Sequence, residues 1–107
     1  MSSPAQIDPA QLEQLCCEGP LTLLDVRTAA EVARGIIDGA KHIPLHELPF
    51  RASELNPASV TVVYCQSGGR SAQACGWLAS QGFERVYNLQ GGTLAWARGG
   101  KPLVPPT

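Results

Sequence analysis

Short apolar segments alternate along the chain with segments that repeat apolar residues at helical spacing. The apolar segments are LTLLDV, AKHIPL, SVTVVYC and RVYNL, at residues 21–26, 40–45, 59–65 and 85–89. Their length, their β-branched residues and the turn residues that bound them predict buried strands. SVTVVYC is apolar almost throughout, as expected of a strand covered on both faces, so we expect it at the centre of a sheet.

The helical segments carry start and stop signals. Asp8 with Gln11, and Thr28 with Glu31, each have the spacing of a capping box, which predicts a helix start at both places. Glycines that follow these segments predict the helix ends. Helical structure is also predicted at residues 46–55, 71–82 and 91–100.

Strands that alternate with helices over short connections predict parallel pairing and an α/β fold with helices on both faces of the sheet. The 107 residues suit one domain spanning residues 1–107, with irregular tails expected at 1–6 and 101–107. Ligands of such sheets bind beyond the carboxyl ends of the strands. Asp25 and Cys65 lie at two such ends, so Asp25 is a candidate pocket residue.

Composition narrows the function classes. The chain is 44% hydrophobic and 16% charged with a formal net charge of -1, and it has no basic stripe, which argues against a nucleic-acid partner. No apolar run or leader-like N-terminus predicts membrane insertion, so we expect a cytoplasmic protein without a membrane partner. The four cysteines show no Cys-x-x-Cys spacing, so we predict neither a metal site nor disulfides, and no cofactor.

The most informative stretch is CQSGGR, which leads from a strand into a helix. A cysteine delivered into a glycine-containing turn at a helix N-terminus faces backbone N–H groups and the positive end of the helix dipole. Cys65 should therefore have a lowered pKa and act as a nucleophilic thiolate. Gly68 and Gly69 would let the turn point its amides inward, and Arg70 would hold the loop or bind an anion. The predicted anion-binding loop comprises Gln66, Ser67, Gly68, Gly69, Arg70 and Ser71.

Other polar and reactive residues are expected to be structural. Cys75 falls on the same helical face as Ser71 and Leu78, which favours a core position, although a resolving thiol for Cys65 is the alternative. Arg27 and Glu31 are four residues apart and could form a local ion pair. We expect turn or surface roles for the two histidines, His42 and His46.

Three segments together resemble the rhodanese homology domain, a sulfurtransferase module: LLDVRTAAEVARGIIDGAKHIPL, CQSGGR and LQGGTLAW. The resemblance implies a five-stranded parallel sheet, with Cys65 at the position of the sulfur-carrying cysteine and residues 66–70 in the active-site loop. Ile36 departs from the pattern, because the family commonly has histidine there. This departure bears on the assignment to a subfamily more than on catalysis.

The resemblance also implies a reaction. A Cys65 persulfide would carry sulfane sulfur from thiosulfate or a persulfide donor to cyanide, a thiol or a partner protein's thiol. This is two-step covalent catalysis, which predicts ping-pong kinetics.

Two alternatives use the same residues differently. Cysteine-dependent phosphatases and arsenate reductases, which the loop also resembles, end a strand with a thiolate in an amide-lined loop. By that resemblance their loops have five residues between cysteine and arginine, and here there are four. A non-catalytic interaction module is the other alternative, and the retained Cys65 and Arg70 argue against it.

Overall fold

The computed structural model describes residues 5–106 and contains one sheet with helices packed against it. The strands are β1 (Ala5–Ile7), β2 (Thr22–Asp25), β3 (Lys41–His42), β4 (Thr61–Tyr64) and β5 (Val86–Leu89). The α-helices are α1 (Pro9–Glu18), α2 (Ala29–Val32), α3 (Leu48–Arg51), α4 (Gly69–Ser80) and α5 (Gly92–Arg98). Two 3-10 turns, Leu45–Glu47 and Ala52–Glu54, flank α3.

The sheet is parallel throughout, with the strand order β1-β5-β4-β2-β3. Strand β4 lies at its centre, as its apolar sequence predicts, and pairs with β2 on one side and with β5 on the other. All four residues of β4 are buried. The prediction of a five-stranded parallel α/β fold is confirmed.

Alternate residues of β4 point into two separate cores. Val63, with Cys65 just beyond the strand, packs in one cluster with Leu48 of α3 and Leu78 of α4. Val62 packs in the other cluster, which includes side chains from α1 and α5. Helices therefore cover both faces, and the period of two along β4 determines that Cys65 faces α4.

Local sequence signals account for the starts of α1 and α2. The Asp8 carboxylate accepts a hydrogen bond from the Gln11 amide at 2.8 Å, and the Gln11 side chain accepts one from the Asp8 amide. Thr28 and Glu31 form the same reciprocal pair. Both predicted capping boxes are confirmed. Across residues 5–106, the helices are too short or too polar to cross a bilayer.

The chain ends differ in part from expectation. Residues 5 and 6 belong to β1 beside β5, so the irregular tail predicted there was wrong for these two residues; residues 1–4 lie outside the described part. Residues 101–106 form no helix or longer strand, although Val104 makes an isolated antiparallel bridge with Ile36. Ile36 is buried and exchanges two backbone hydrogen bonds with Val104. Thr107 lies outside the described residues.

Candidate active site

Cys65 directly follows the central strand, and the chain turns from it into α4. The turn depends on Gly68, whose φ of +110° lies in the left-handed region that favours glycine. Gly69 is already the first residue of α4 and does not adopt a left-handed backbone. Gln66 and Ser67 are exposed, while Cys65 itself is buried.

The Cys65 sulfur is surrounded by hydrogen-bond donors. The Gly68 amide donates to Sγ at 3.1 Å, and the Ser71 hydroxyl lies 3.4 Å from Sγ. Burial of the thiol raises the pKa of Cys65, but the Ser71 hydroxyl and the amides of Ser71, Gly68 and Ser67 outweigh it, so the pKa of Cys65 is lowered. The loop therefore favours the thiolate, in agreement with the sequence analysis.

The start of α5 holds the loop from behind. The Thr93 amide donates to the Cys65 carbonyl at 3.0 Å, and the Leu94 amide donates to the Gln66 carbonyl at 3.1 Å. These are N–H groups of the first turn of α5, which have no partner within their own helix. Two helix starts thus bracket the loop: α4 faces the sulfur, and α5 binds the backbone carbonyls.

Arg70 is engaged in an ion pair across the site entrance. Its guanidinium donates to both carboxylate oxygens of Glu31, at 2.6 and 2.9 Å. This pair lowers the pKa of Glu31 to about 2, so its contribution to stability is present above pH 4.5 and is lost as the pH falls towards 2. The predicted ion pair between Arg27 and Glu31 was wrong, because Glu31 pairs with Arg70 instead.

Asp25 is buried in a structural ion pair and offers no free carboxylate to a pocket. Its side chain is 0% exposed and accepts hydrogen bonds from the backbone amide and the guanidinium of Arg27. The same guanidinium donates to the Gly35 carbonyl at 2.6 Å and so ties β2 to the segment after α2. The expected pocket role of Asp25 was therefore wrong.

We expect Asp25→Asn to destabilise the fold by about 3 kcal/mol, because it leaves the Arg27 charge buried without its counterion. The midpoint of urea unfolding measures this loss. Glu54→Gln, which removes exposed ion pairs with Arg51 and Lys41, should barely move the midpoint. An Asp25→Asn protein that unfolds at the wild-type urea concentration would contradict the structural role.

The remaining cysteines lie apart from the loop's chemistry. Cys75 is buried in the core on α4, and burial, with a smaller contribution from the charge of Cys65, raises its pKa to about 12. Cys16 and Cys17 are exposed, and all four cysteines are free thiols. A pKa this high keeps the Cys75 thiol protonated, which agrees with the predicted core position.

A mostly apolar pocket of about 490 Å³ begins beside Arg70 and follows one face of α4. Arg70, Gln73 and Trp77 form one wall, one helical turn apart. The segment from Pro44 to Pro49 provides much of the remaining lining. His46, which the sequence placed at the surface, also lines this pocket, and its side chain is 78% exposed.

Three contacts of the loop were missed by the sequence analysis. Asn88 of β5 donates to the Gly68 carbonyl at 3.2 Å, Glu31 holds Arg70, and Gly92 lies directly behind the loop carbonyls. Asn88 had one available signal, because it is a polar residue in an otherwise apolar part of a predicted strand. Glu31 and Gly92 carry no local signal for these contacts, because each meets the loop only in the folded protein.

Comparison with known proteins places this geometry in a family. The profile of the rhodanese-like domain matches residues 8–98. A protein named "Sulfurtransferase" from Allochromatium vinosum is 47% identical over 102 residues, which cover 94% of this chain and 95% of that protein. "Thiosulfate sulfurtransferase GlpE" from Ectopseudomonas mendocina is 33% identical over 90% of this chain and 87% of its own length. The crystal structure of a rhodanese-like domain protein from Staphylococcus aureus superposes with a TM-score of 0.85 at 30% identity, covering 96% of this chain and 99% of that one.

Proposed function

The chain belongs to the rhodanese-like domain family, whose members include sulfurtransferases, and on that premise we propose that Cys65 carries sulfane sulfur from a donor to an acceptor. The observation that carries this proposal is the environment of the Cys65 sulfur. A buried thiol whose pKa is nevertheless lowered by surrounding N–H and hydroxyl groups is prepared to act as a nucleophile. A reducing compartment such as the cytoplasm would keep this thiol free.

In the first step, the Cys65 thiolate attacks the outer sulfur of a donor such as thiosulfate. A new S–S bond forms, the S–S bond of thiosulfate breaks, and sulfite leaves with the bonding electron pair. In the second step, cyanide or a thiolate attacks the outer sulfur of the Cys65 persulfide, and the Cys65 thiolate is regenerated. No net redox change or external proton donor is needed, and the loop amides stabilise the anionic sulfur throughout.

The charges at the entrance bear on the choice of donor. Glu31 neutralises Arg70, so the dianion thiosulfate gains little attraction from that guanidinium. The pocket beside Arg70 has mainly apolar walls, which suit an organic group better than a small anion. We therefore propose weak thiosulfate binding and better use of an organic persulfide, either a small molecule or the thiol of a partner protein.

We expect Glu31→Gln to lower the KM for thiosulfate severalfold, because the change releases the Arg70 charge. The glutamine side-chain oxygen can still accept the hydrogen bond that Glu31 takes from the Thr28 amide, so the start of α2 is kept. Initial rates at low and at high ionic strength measure the effect, which should shrink as salt screens the charge.

Glu54→Gln is the matched control, since Glu54 pairs with Arg51 and Lys41 rather than with Arg70. Its KM for thiosulfate should equal that of the wild type. A Glu31→Gln enzyme with a higher KM would mean that Glu31 serves to position Arg70 for the donor, and the argument from charge would fail.

Two-substrate kinetics test the proposed function itself. With thiosulfate or glutathione persulfide as donor and cyanide as acceptor, double-reciprocal plots should give parallel lines, as a covalent carrier requires. Hydrolysis of an aryl phosphate or reduction of arsenate, without transfer from either donor, would replace this proposal with the phosphatase or arsenate-reductase alternative.

A further inference from the structure

The Ser71 hydroxyl has a single proton and two acceptors within reach. Its oxygen lies 2.5 Å from Asn88 Oδ1 and 3.4 Å from Cys65 Sγ. Ser71 is fully buried and Asn88 is 2% exposed. Because a hydroxyl can donate one hydrogen bond at a time, the two acceptors compete for this proton.

The orientation of the Asn88 amide is fixed by its other contacts. Its Nδ2 donates to the Gly68 carbonyl at 3.2 Å and to Gln6 Oε1 at 3.1 Å. A flipped amide would bring its oxygen against both of these acceptors and its NH2 group against the hydroxyl. Asn88 Oδ1 therefore faces Ser71 as an acceptor, and the short distance favours donation from Ser71 to Asn88.

The competition depends on the chemical state of Cys65. In the thiol, S–H can donate to Ser71 Oγ while Ser71 donates to Asn88, and each group is satisfied. The thiolate accepts hydrogen bonds and therefore competes for the Ser71 proton. Donation from Ser71 to the thiolate would leave the buried Asn88 Oδ1 without its donor. In a persulfide the negative charge moves to the outer sulfur, Sγ becomes neutral, and the Ser71 proton can return to Asn88.

We propose that Asn88 is a positioning residue that competes with Cys65 for the Ser71 proton and thereby favours the thiol and the sulfur-loaded state over the bare thiolate. The persulfide part rests on the proposed function; the competition in the unloaded protein does not. Ser71 stabilises the thiolate only to the extent that its proton turns away from Asn88.

Charged neighbours do not account for such an effect. The charged or titratable groups that interact around the loop are Arg70 with Glu31, Cys75 of α4 and Asp25 with its partner Arg27. Ser71 and Asn88 are uncharged, so their replacement by uncharged residues leaves all of these charges in place. Any change in the titration of Cys65 would then arise from hydrogen bonding or from loop position.

The test measures the rate of iodoacetamide alkylation of Cys65 against pH. The background is Cys16→Ser with Cys17→Ser, because those two thiols are exposed. Cys75 is buried with a pKa of about 12 and reacts little. Mass mapping confirms that Cys65 is the labelled residue. Sulfur transfer is not required, so a negative result here leaves the proposed function standing.

Four proteins form the thermodynamic cycle: the background, Ser71→Ala, Asn88→Leu and the double variant. Asn88→Leu should lower the pKa of Cys65, since Ser71 is free to donate to the thiolate. Ser71→Ala should raise the pKa by more in the Asn88→Leu protein than in the background, by roughly half a unit or a threefold change in the ionisation constant. Ser71→Thr keeps the hydroxyl and should rescue the titration.

Asn88→Val is smaller, uncharged and suited to a strand, so it decides the matter if Asn88→Leu does not fold. In that protein Ser71→Ala should again shift the pKa of Cys65 by more than it does in the background. The proposal would be overturned if Ser71→Ala shifted the pKa of Cys65 equally whichever residue occupies position 88. A raised pKa of Cys65 in folded Asn88→Leu would also overturn it, because Asn88 would then act only by holding Gly68.

Discussion

We expect Cys65→Ser to abolish the transfer of sulfur from thiosulfate to cyanide. The serine hydroxyl is not ionised near neutral pH and cannot form a persulfide, so the loss should be about a thousandfold or more. The fold should persist, because the smaller hydroxyl can still accept hydrogen bonds from the Gly68 amide and Ser71. Thiocyanate production and the urea-unfolding midpoint measure the two effects separately.

Cys75→Ala and Cys16→Ser are the matched controls for this prediction. Cys75 is as deeply buried as Cys65 but lies in the core with a raised pKa, and Cys16 is exposed. Both variants should keep the wild-type rate once the folded fraction is equal. If Cys75→Ala lost activity while remaining folded, the alternative of Cys75 as a resolving thiol would return.

Gly92→Ala should remove most of the activity and destabilise the protein by roughly 3 kcal/mol or more. A methyl group at this position would lie 2.3 Å from the Cys65 carbonyl oxygen and 2.6 Å from the backbone of Gln66. Its φ of +55° adds left-handed strain for any other residue. Because α5 holds these same carbonyls, relief of the clash must move the active-site loop or withdraw the α5 amides that hold it.

Gly39→Ala is a control that introduces the left-handed backbone strain without the steric clash of Gly92→Ala. Gly39 has a φ of +86° and is exposed, and nothing lies within 4 Å of the position of an added methyl group. This variant should lose about 1 kcal/mol of stability and keep full activity. Unfolding midpoints and transfer rates for both variants check the comparison, and equal losses in the two would show that the approach of Gly92 to the loop has no special effect.

The parts of the structure that the sequence predicts well are those with local causes. The apolar run that ends at Cys65 indicates a central strand, and the CQSGGR segment specifies a turn into a helix within a few residues. The capping boxes at Asp8 and Thr28 are equally local, since each depends on a partner three residues away. Such signals require no knowledge of how distant segments meet.

The parts that the sequence predicts poorly depend on tertiary contacts. Strand β1 is three residues long and only Ile7 is buried, so it has too little pattern to be recognised. Glu31 and Arg70 are 39 positions apart, whereas the predicted Arg27 and Glu31 pair satisfied the local spacing. Arg27 pairs instead with the buried Asp25, so the four-residue spacing between Arg27 and Glu31 did not determine its partner.

Asn88 and Gly92 were missed for the same reason. Their roles arise because β5 and α5 approach the Cys65 loop in the folded protein. The sequence therefore indicates where the nucleophile lies, while the packing of β5 and α5 determines how its loop is held.

Intact-protein mass spectrometry after incubation with excess sulfur donor, thiosulfate or glutathione persulfide, shows directly whether Cys65 carries sulfur. We expect the wild type to gain the mass of one sulfur atom, Cys65→Ser to gain none, and cyanide to remove the added mass from the wild type. Absence of any gain in the wild type with glutathione persulfide as well as with thiosulfate, or an equal gain in Cys65→Ser, would contradict the assignment of Cys65 as the sulfur carrier.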